Sequence, residues 1–279
     1  MFLHSFIPSP ILWSLGPVSI YWYGLMLVIG IISGLYVTVQ LGQKHNIKKD
    51  TILDLAFYLV LFSILGARIY DIFLELPYYI ANPIAIFKIW QGGLAIHGAL
   101  IGGGLTIYWF TKKYKQSFIK FLAVVTPGLA LGQAIGRWGN YFNQELFGLP
   151  TNLPWGIPIN LNMRPSLFNN SEYFHPTFLY ESLGNLLIFV GLYYFVNKLS
   201  ANKNRSERYL NYRFIFLGYL LAYSVLRFFL EFIRIDFAPN LFGLRWPQIM
   251  SLIIVASSIF VFYHTKKSDI LANRSEKND

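Results

Sequence analysis

Apolar residues gather into seven runs, at about 18–41, 52–74, 93–111, 119–137, 176–197, 213–233 and 248–264, each bounded by charged residues or by Pro and Asn. About 20 consecutive apolar residues is what an α-helix needs to cross the hydrocarbon core of a bilayer. The pattern predicts an all-α polytopic membrane protein with seven transmembrane helices, forming a single integral membrane domain over 1–279. Residues 1–17 are left as an outer N-terminal arm, 139–174 as a long outer loop or head between helices 4 and 5, and 265–279 as a cytoplasmic tail. No Lys or Arg precedes the first run, so it lacks the basic flank of a cleaved secretory signal and reads as the first helix.

Charge gives this topology an orientation. With seven spans, alternate loops fall on alternate sides, and sixteen lysines and arginines share one side with six acids, whereas seven share the other with seven acids. The net charge of +10 therefore belongs to the first side, which the positive-inside rule makes cytoplasmic, with the N-terminus outside and the C-terminus inside. The composition, 55% hydrophobic, 18% aromatic and 13% charged, excludes a disordered chain and the polar surface of a nucleic-acid binder. The absence of cysteine removes disulfides and thiolate nucleophiles, and neither cysteine nor a His-x-x-Glu-His pattern is present to hold a metal.

The outer side also carries charge inside the apolar runs. Counted from the inner face at 1.5 Å per residue, Arg137 lies ~25 Å up its helix, Arg227 ~21 Å and His97 ~22 Å. An ionised side chain near the membrane centre costs at least ~2.5 kcal/mol, so such groups are generally paired, cavity-facing and functional. Tyr223, Arg227, Glu231 and Arg234 recur at i, i+4, i+8 and i+11, which sets them on one helical face. Arg227 and Glu231 either neutralise one another as a structural pair or serve a ligand. Together with Arg68, these arginines suit an anion, and a guanidinium fork suits phosphate. In a cavity open to lipid, the abundant phosphate is a phospholipid headgroup. His97 lies in a glycine run, Gly92-Gly93 to Gly102-Gly103-Gly104, where the glycines suit close helix packing. The imidazole is either a satisfied structural group or an acid–base group.

Gly136-Arg-Trp-Gly-Asn-Tyr-Phe-Asn-Gln-Glu-Leu-Phe-Gly148 resembles the signature of the bacterial prolipoprotein diacylglyceryl transferases. Trp22-Tyr-Gly24, the His97 run, His175-Pro-Thr-Phe-Leu-Tyr-Glu181 and the Tyr223 to Arg234 face follow that family's pattern in the same order. Ala99 and Trp246-Pro247 depart from it. The resemblance implies transfer of the diacylglyceryl group of phosphatidylglycerol to the lipobox cysteine of a preprolipoprotein, with release of glycerol 1-phosphate, at the outer leaflet of the bacterial inner membrane. It implies no cofactor and no metal, and its partners are phosphatidylglycerol, lipobox signal peptides and membrane lipid. Carried over by position, Arg137 and Arg227 hold the lipid phosphate, Asn140 and Glu145 shape the headgroup pocket, and His97 and Tyr223 handle protons. Tyr23, Arg68, Glu181, Glu231 and Arg234 are supporting groups. Two other readings compete: a transporter for an anionic solute, which would carry polar residues through to the inner face, and a structural scaffold.

Overall fold

The computed structural model describes residues 2–16, 18–200 and 205–275, with side chains over 3–16, 18–200 and 210–265. Met1, Pro17, residues 201–204 and the end of the tail at 276–279 lie outside the described residues. The chain is mostly helical. Its order is α1 (Phe2–Ser5), β1 (Ile11–Leu15), β2 (Val18–Tyr21), α2 (Trp22–Lys44), α3 (Lys49–Leu74), α4 (Leu76–Ala81), α5 (Ile96–Lys113), α6 (Phe118–Phe142), β3 (Ile157–Pro158), β4 (Tyr173–Phe174), α7 (Thr177–Leu199), α8 (Arg205–Leu230), β5 (Asn240–Leu241), β6 (Leu244–Arg245) and α9 (Trp246–Ser275).

Six helices among the described residues are long and apolar enough to cross a membrane: Trp22–Lys44, Lys49–Leu74, Phe118–Phe142, Thr177–Leu199, Leu210–Leu230 and Trp246–Thr265. The chain is a multi-pass membrane protein. The run at 93–111 forms α5, but its 18 residues include His97, four glycines and the Lys112–Lys113 pair, which dilute its hydropathy.

Three boundaries differ from the sequence expectation. Residues 18–21, expected to open the first span, form β2, which pairs antiparallel with β1. Alternating Val18 and Ile20 favour a strand, and Gly16 supplies a left-handed turn residue at φ +57°. At the other end of the expected fourth span, α6 runs on to Phe142, so Arg137, Gly139 and Asn140 are all helical and the long loop begins after them. Finally, α8 stops at Leu230, so Glu231 and Arg234 leave the helix in a turn rather than continuing its face.

The molecule divides into two compact units, residues 1–37 with 125–279 and residues 38–124. In the smaller unit, α3 and α5 pack backbone to backbone. A Cβ on Gly66 would stand 2.4 Å from the Gly98 carbonyl oxygen, and one on Gly98 2.2 Å from that of Gly66. Gly98 and Gly102 of the run therefore serve helix packing, whereas a Cβ on Gly92 or Gly104 would meet nothing within 4 Å. In the larger unit, α2 meets α6 in the same way at Gly34, where a Cβ would lie 2.6 Å from the Gly128 carbonyl oxygen. Ser182 on α7 donates to the Ala134 carbonyl of α6 at 2.8 Å, and Tyr219 on α8 donates to Gln133 Oε1 of α6 at 3.0 Å.

The long loop has its own core. Tyr141, Phe147, Ile157, Ile159, Phe174 and Phe178 bury one another, Ile157 and Phe174 being partners across the β3–β4 pair. Short α1 closes onto it through His4, whose ring stacks on Tyr173 at 4.0 Å and contacts the Gly156 carbonyl at 2.8 Å.

Candidate active site

Gly148, the last residue of the signature stretch, ties three parts of the larger unit together. Its N–H donates to the His175 carbonyl at 2.9 Å, and the N–H of Leu149 donates to the Ile233 carbonyl at 2.7 Å. The Thr177 hydroxyl donates to the Leu146 carbonyl. One short extended segment thus joins the start of α7 to the chain leaving α8. A Cβ at Gly148 would meet His175 Cβ and the Ile233 carbonyl oxygen at 2.8 Å each, so only glycine fits this close approach.

That junction draws Glu181, one turn into α7, against arginines from α6, from α8 and from the turn that follows α8. Glu181 Oε1 pairs with Arg137 Nη2 of α6 at 2.5 Å, and its Oε2 lies 3.7 Å from both Arg227 Nη1 and Arg234 Nη1. Arg227 also grips Glu231 Oε2 at 2.9 Å. Arg234 Nε pairs with Asp236 Oδ1 at 2.7 Å, and Arg245 Nε lies 3.2 Å from Glu231 Oε1. Four guanidiniums and three carboxylates make one lattice. Glu181 and Glu231 are almost completely buried, a state that carboxylates tolerate only when paired. The two oxygens of Glu231 are held by these ion pairs rather than by well-directed hydrogen bonds.

At the edge of the lattice, neutral polar side chains link the charged ones. Arg137 Nη1 donates to Asn140 Oδ1 at 3.2 Å, and Asn140 Nδ2 donates to Glu145 Oε1 at 2.8 Å, so Glu145 reaches Arg137 only through Asn140. The Tyr223 hydroxyl donates to Glu181 Oε1 at 3.4 Å, and its ring stacks on that of Tyr219. Tyr23 packs against Gly139, whose Cβ would stand 2.7 Å from the tyrosine ring. Outside the spans, burial alone would raise the Asp236 carboxyl, but the Arg234 hydrogen bond and the charges of Arg234, Arg245 and Arg227 hold it below the usual carboxylate range. Burial holds the His175 imidazole below its ordinary value.

The larger unit therefore gathers Tyr23, Arg137, Asn140, Glu145, Glu181, Tyr223, Arg227, Glu231 and Arg234. His97 and Arg68 belong to the smaller unit. Arg68 is buried and its donors are engaged by backbone: Nε to Ile86 O at 2.9 Å, Nη1 to Gly92 O and Gly93 O at 2.8 Å each, and Nη2 to Ala85 O. Arg68 thus fixes the segment that leads into α5 instead of presenting a free fork. His97, the second residue of α5, is exposed, with its ring 5.8 Å from that of Tyr70.

Arg245 and Asp236 were not singled out by the sequence. Arg245 lies 14 residues beyond Glu231, outside any helical periodicity, and the β5–β6 hairpin returns it to Glu231. The cue that existed was a cation and an acid close together in a short loop flanked by two apolar runs. No group of three or more His, Asp or Glu positioned for a metal is present among the described residues.

A family model described as prolipoprotein diacylglyceryl transferase matches residues 10–264. The phosphatidylglycerol--prolipoprotein diacylglyceryl transferase of Prochlorococcus marinus (strain NATL1A) is 41% identical over 295 residues, covering 96% of this chain and 95% of the relative. The protein of the same name from Synechococcus sp. (strain CC9902) is 44% identical over 229 residues, 82% of this chain and 80% of its own. That of Parasynechococcus marenigrum (strain WH8102) is 43% identical over 229 residues, 82% and 81%.

Proposed function

The chain belongs to the prolipoprotein diacylglyceryl transferase family, and on that premise we propose that it transfers the diacylglyceryl group of phosphatidylglycerol to the lipobox cysteine of prolipoproteins. The reaction forms a thioether between the cysteine sulfur and glycerol C3, breaks the C3–O bond to phosphate, releases glycerol 1-phosphate, and moves the thiol proton to a base. It is the first step of lipoprotein maturation.

The observation that carries this reading is the convergence of Arg137, Arg227 and Arg234 on one point. Phosphate leaves carbon poorly while its charge is unscreened, and guanidiniums fixed in a poorly hydrated site stabilise the charge that builds on it. Arg137 and Arg227 hold the phosphate, while Asn140 and Glu145 orient the headgroup beside Arg137. His97 and Tyr223 handle the proton, where a positioned base contributes about 10² to 10⁴ in rate. A His97→Gln variant that stays active with an unaltered pH–rate profile would remove His97 from that role.

The membrane reading follows the charge pattern. The chain forms one integral membrane domain in the bacterial inner membrane, with α5 as a seventh span, N-terminus outside, C-terminus cytoplasmic, and the lattice in the outer leaflet beneath the 143–176 head. The Gly66–Gly98 contact supports α5 as a span, because small residues are what pack helices in lipid. The assay is direct: purified protein, phosphatidylglycerol with a labelled acyl chain, and a lipobox peptide. Label on the peptide cysteine together with released glycerol 1-phosphate is the expected result, and a lipobox Cys→Ser peptide should remain unlabelled. Absence of transfer by correctly folded protein contradicts the proposal.

A further inference from the structure

We propose that Glu181 is an internal stand-in for the substrate phosphate, holding the arginine pair together before substrate binds and giving Arg137 and Arg227 up when a phosphate oxyanion binds. The proposal rests on the reading of Arg137 and Arg227 as the phosphate-binding pair. A carboxylate and a phosphodiester each present two anionic oxygens on one centre, and a guanidinium fork accepts either. Glu181 occupies the point on which the forks converge, 2.5 Å from Arg137 and 3.7 Å from Arg227 and Arg234. Without an anion there, Arg137 would lose its Glu181 ion pair and face Arg227 and Arg234, whose charges would be shared only with Glu231 and Asp236, an arrangement that repels itself and is poorly solvated.

The geometry also leaves Glu181 somewhere to go. Its contacts with Arg227 and Arg234 are longer than hydrogen bonds, so Arg227 is already held more closely by Glu231, at 2.9 Å. The Tyr223 hydroxyl donates to Glu181 from the side of α8, and Arg234 remains a partner after Arg137 and Arg227 turn to the phosphate. The Asn185 side chain, one turn deeper on α7, donates to the Glu181 backbone carbonyl, which fixes the helix while the carboxylate shifts. An internal anion that must be displaced lowers the apparent affinity for the external one, in proportion to the fraction of time it holds the site.

This makes an unusual prediction of sign. Removing a buried, multiply paired carboxylate ordinarily weakens a site, but here it should strengthen substrate binding. In the full-length protein in nanodiscs, Glu181→Gln is expected to bind phosphatidylglycerol about tenfold more tightly than wild type. Inorganic phosphate should gain in the same direction, and diacylglycerol, which lacks the phosphate, should not change. Glu181→Asp keeps a charge in the site while drawing it one methylene back from Arg137, and should shift affinity the same way by less. Unchanged or weaker phosphatidylglycerol binding in whichever of the two variants is recovered folded overturns the proposal. A gain for phosphatidylglycerol without one for inorganic phosphate would place the effect on the rest of the lipid and also overturn it. If instead Arg137→Gln and Arg227→Gln both leave phosphatidylglycerol binding intact, the phosphate-clamp reading itself fails.

Discussion

Arg137 and Glu181 meet through a 2.5 Å ion pair although the whole head loop separates them in sequence. The contact exists because α6 carries Arg137 toward its C-terminal end while the Gly148 segment brings the start of α7 alongside. The lattice is thus as well placed as that one short segment.

Gly148→Ala should consequently cost activity before it costs the fold. The added methyl would press on His175 Cβ and on the Ile233 carbonyl oxygen at 2.8 Å, forcing apart the elements that carry Glu181 and Arg234. Displacements of about 1 Å at such a site cost on the order of 10²-fold in rate. Turnover of labelled phosphatidylglycerol should fall by that order while the quantity of membrane-inserted protein stays near wild type.

Arg245 holds the other side. Its guanidinium meets the Glu231 and Asp236 carboxylates and donates to the backbone carbonyls of Glu231 and Arg234 at 3.2 and 2.6 Å and to that of Asp236. Breaking a buried pair by removing one partner costs about 3–5 kcal/mol, discounted here because Arg245 is partly exposed at 17%. Arg245→Gln should lower the midpoint of thermal unfolding in detergent. Lysine should restore little, since a point charge cannot reproduce a fork that reaches three carbonyls and two carboxylates.

Arg68 gives the contrasting outcome. Its donors face Ala85, Ile86, Gly92 and Gly93 carbonyls, and Gly93, at φ +72°, leaves room for the Arg68, Asp71 and Tyr79 side chains that a Cβ would strike. Arg68→Gln should loosen the segment before His97, lowering kcat or protein stability while the KM for phosphatidylglycerol stays within about twofold. A large rise in KM with kcat preserved would mean that Arg68 binds the lipid directly.

Much of this was legible in the sequence because membrane solvent enforces simple patterns. The apolar runs locate the helices, since backbone in lipid must satisfy itself within each segment, and arginines inside those runs point to a candidate site because charge there needs a reason. The resemblance named the family from the Gly136–Gly148 stretch, and comparison along the chain bears that out. What escaped was whatever depends on chain reversal. Tyr223, Arg227, Glu231 and Arg234 share one continuous helical spacing, yet the helix ends at Leu230. Arg234 reaches Glu181 through the turn and its bridge to Gly148, which periodicity cannot represent. Arg245 arrives by a hairpin, again with no period to mark it. Arg68 shows the opposite error: residue type suggested an anion site, whereas its nearest acceptors are carbonyls of a loop whose path the sequence does not specify.

The most direct test of the central claim is the transfer rate of Arg137→Lys, measured with labelled phosphatidylglycerol and a lipobox peptide. Lysine keeps the charge but offers no planar fork to share between Asn140 and an oxyanion. The account predicts a loss on the order of 10²-fold or more in kcat/KM with the protein still inserted and folded. Turnover near wild type would contradict it.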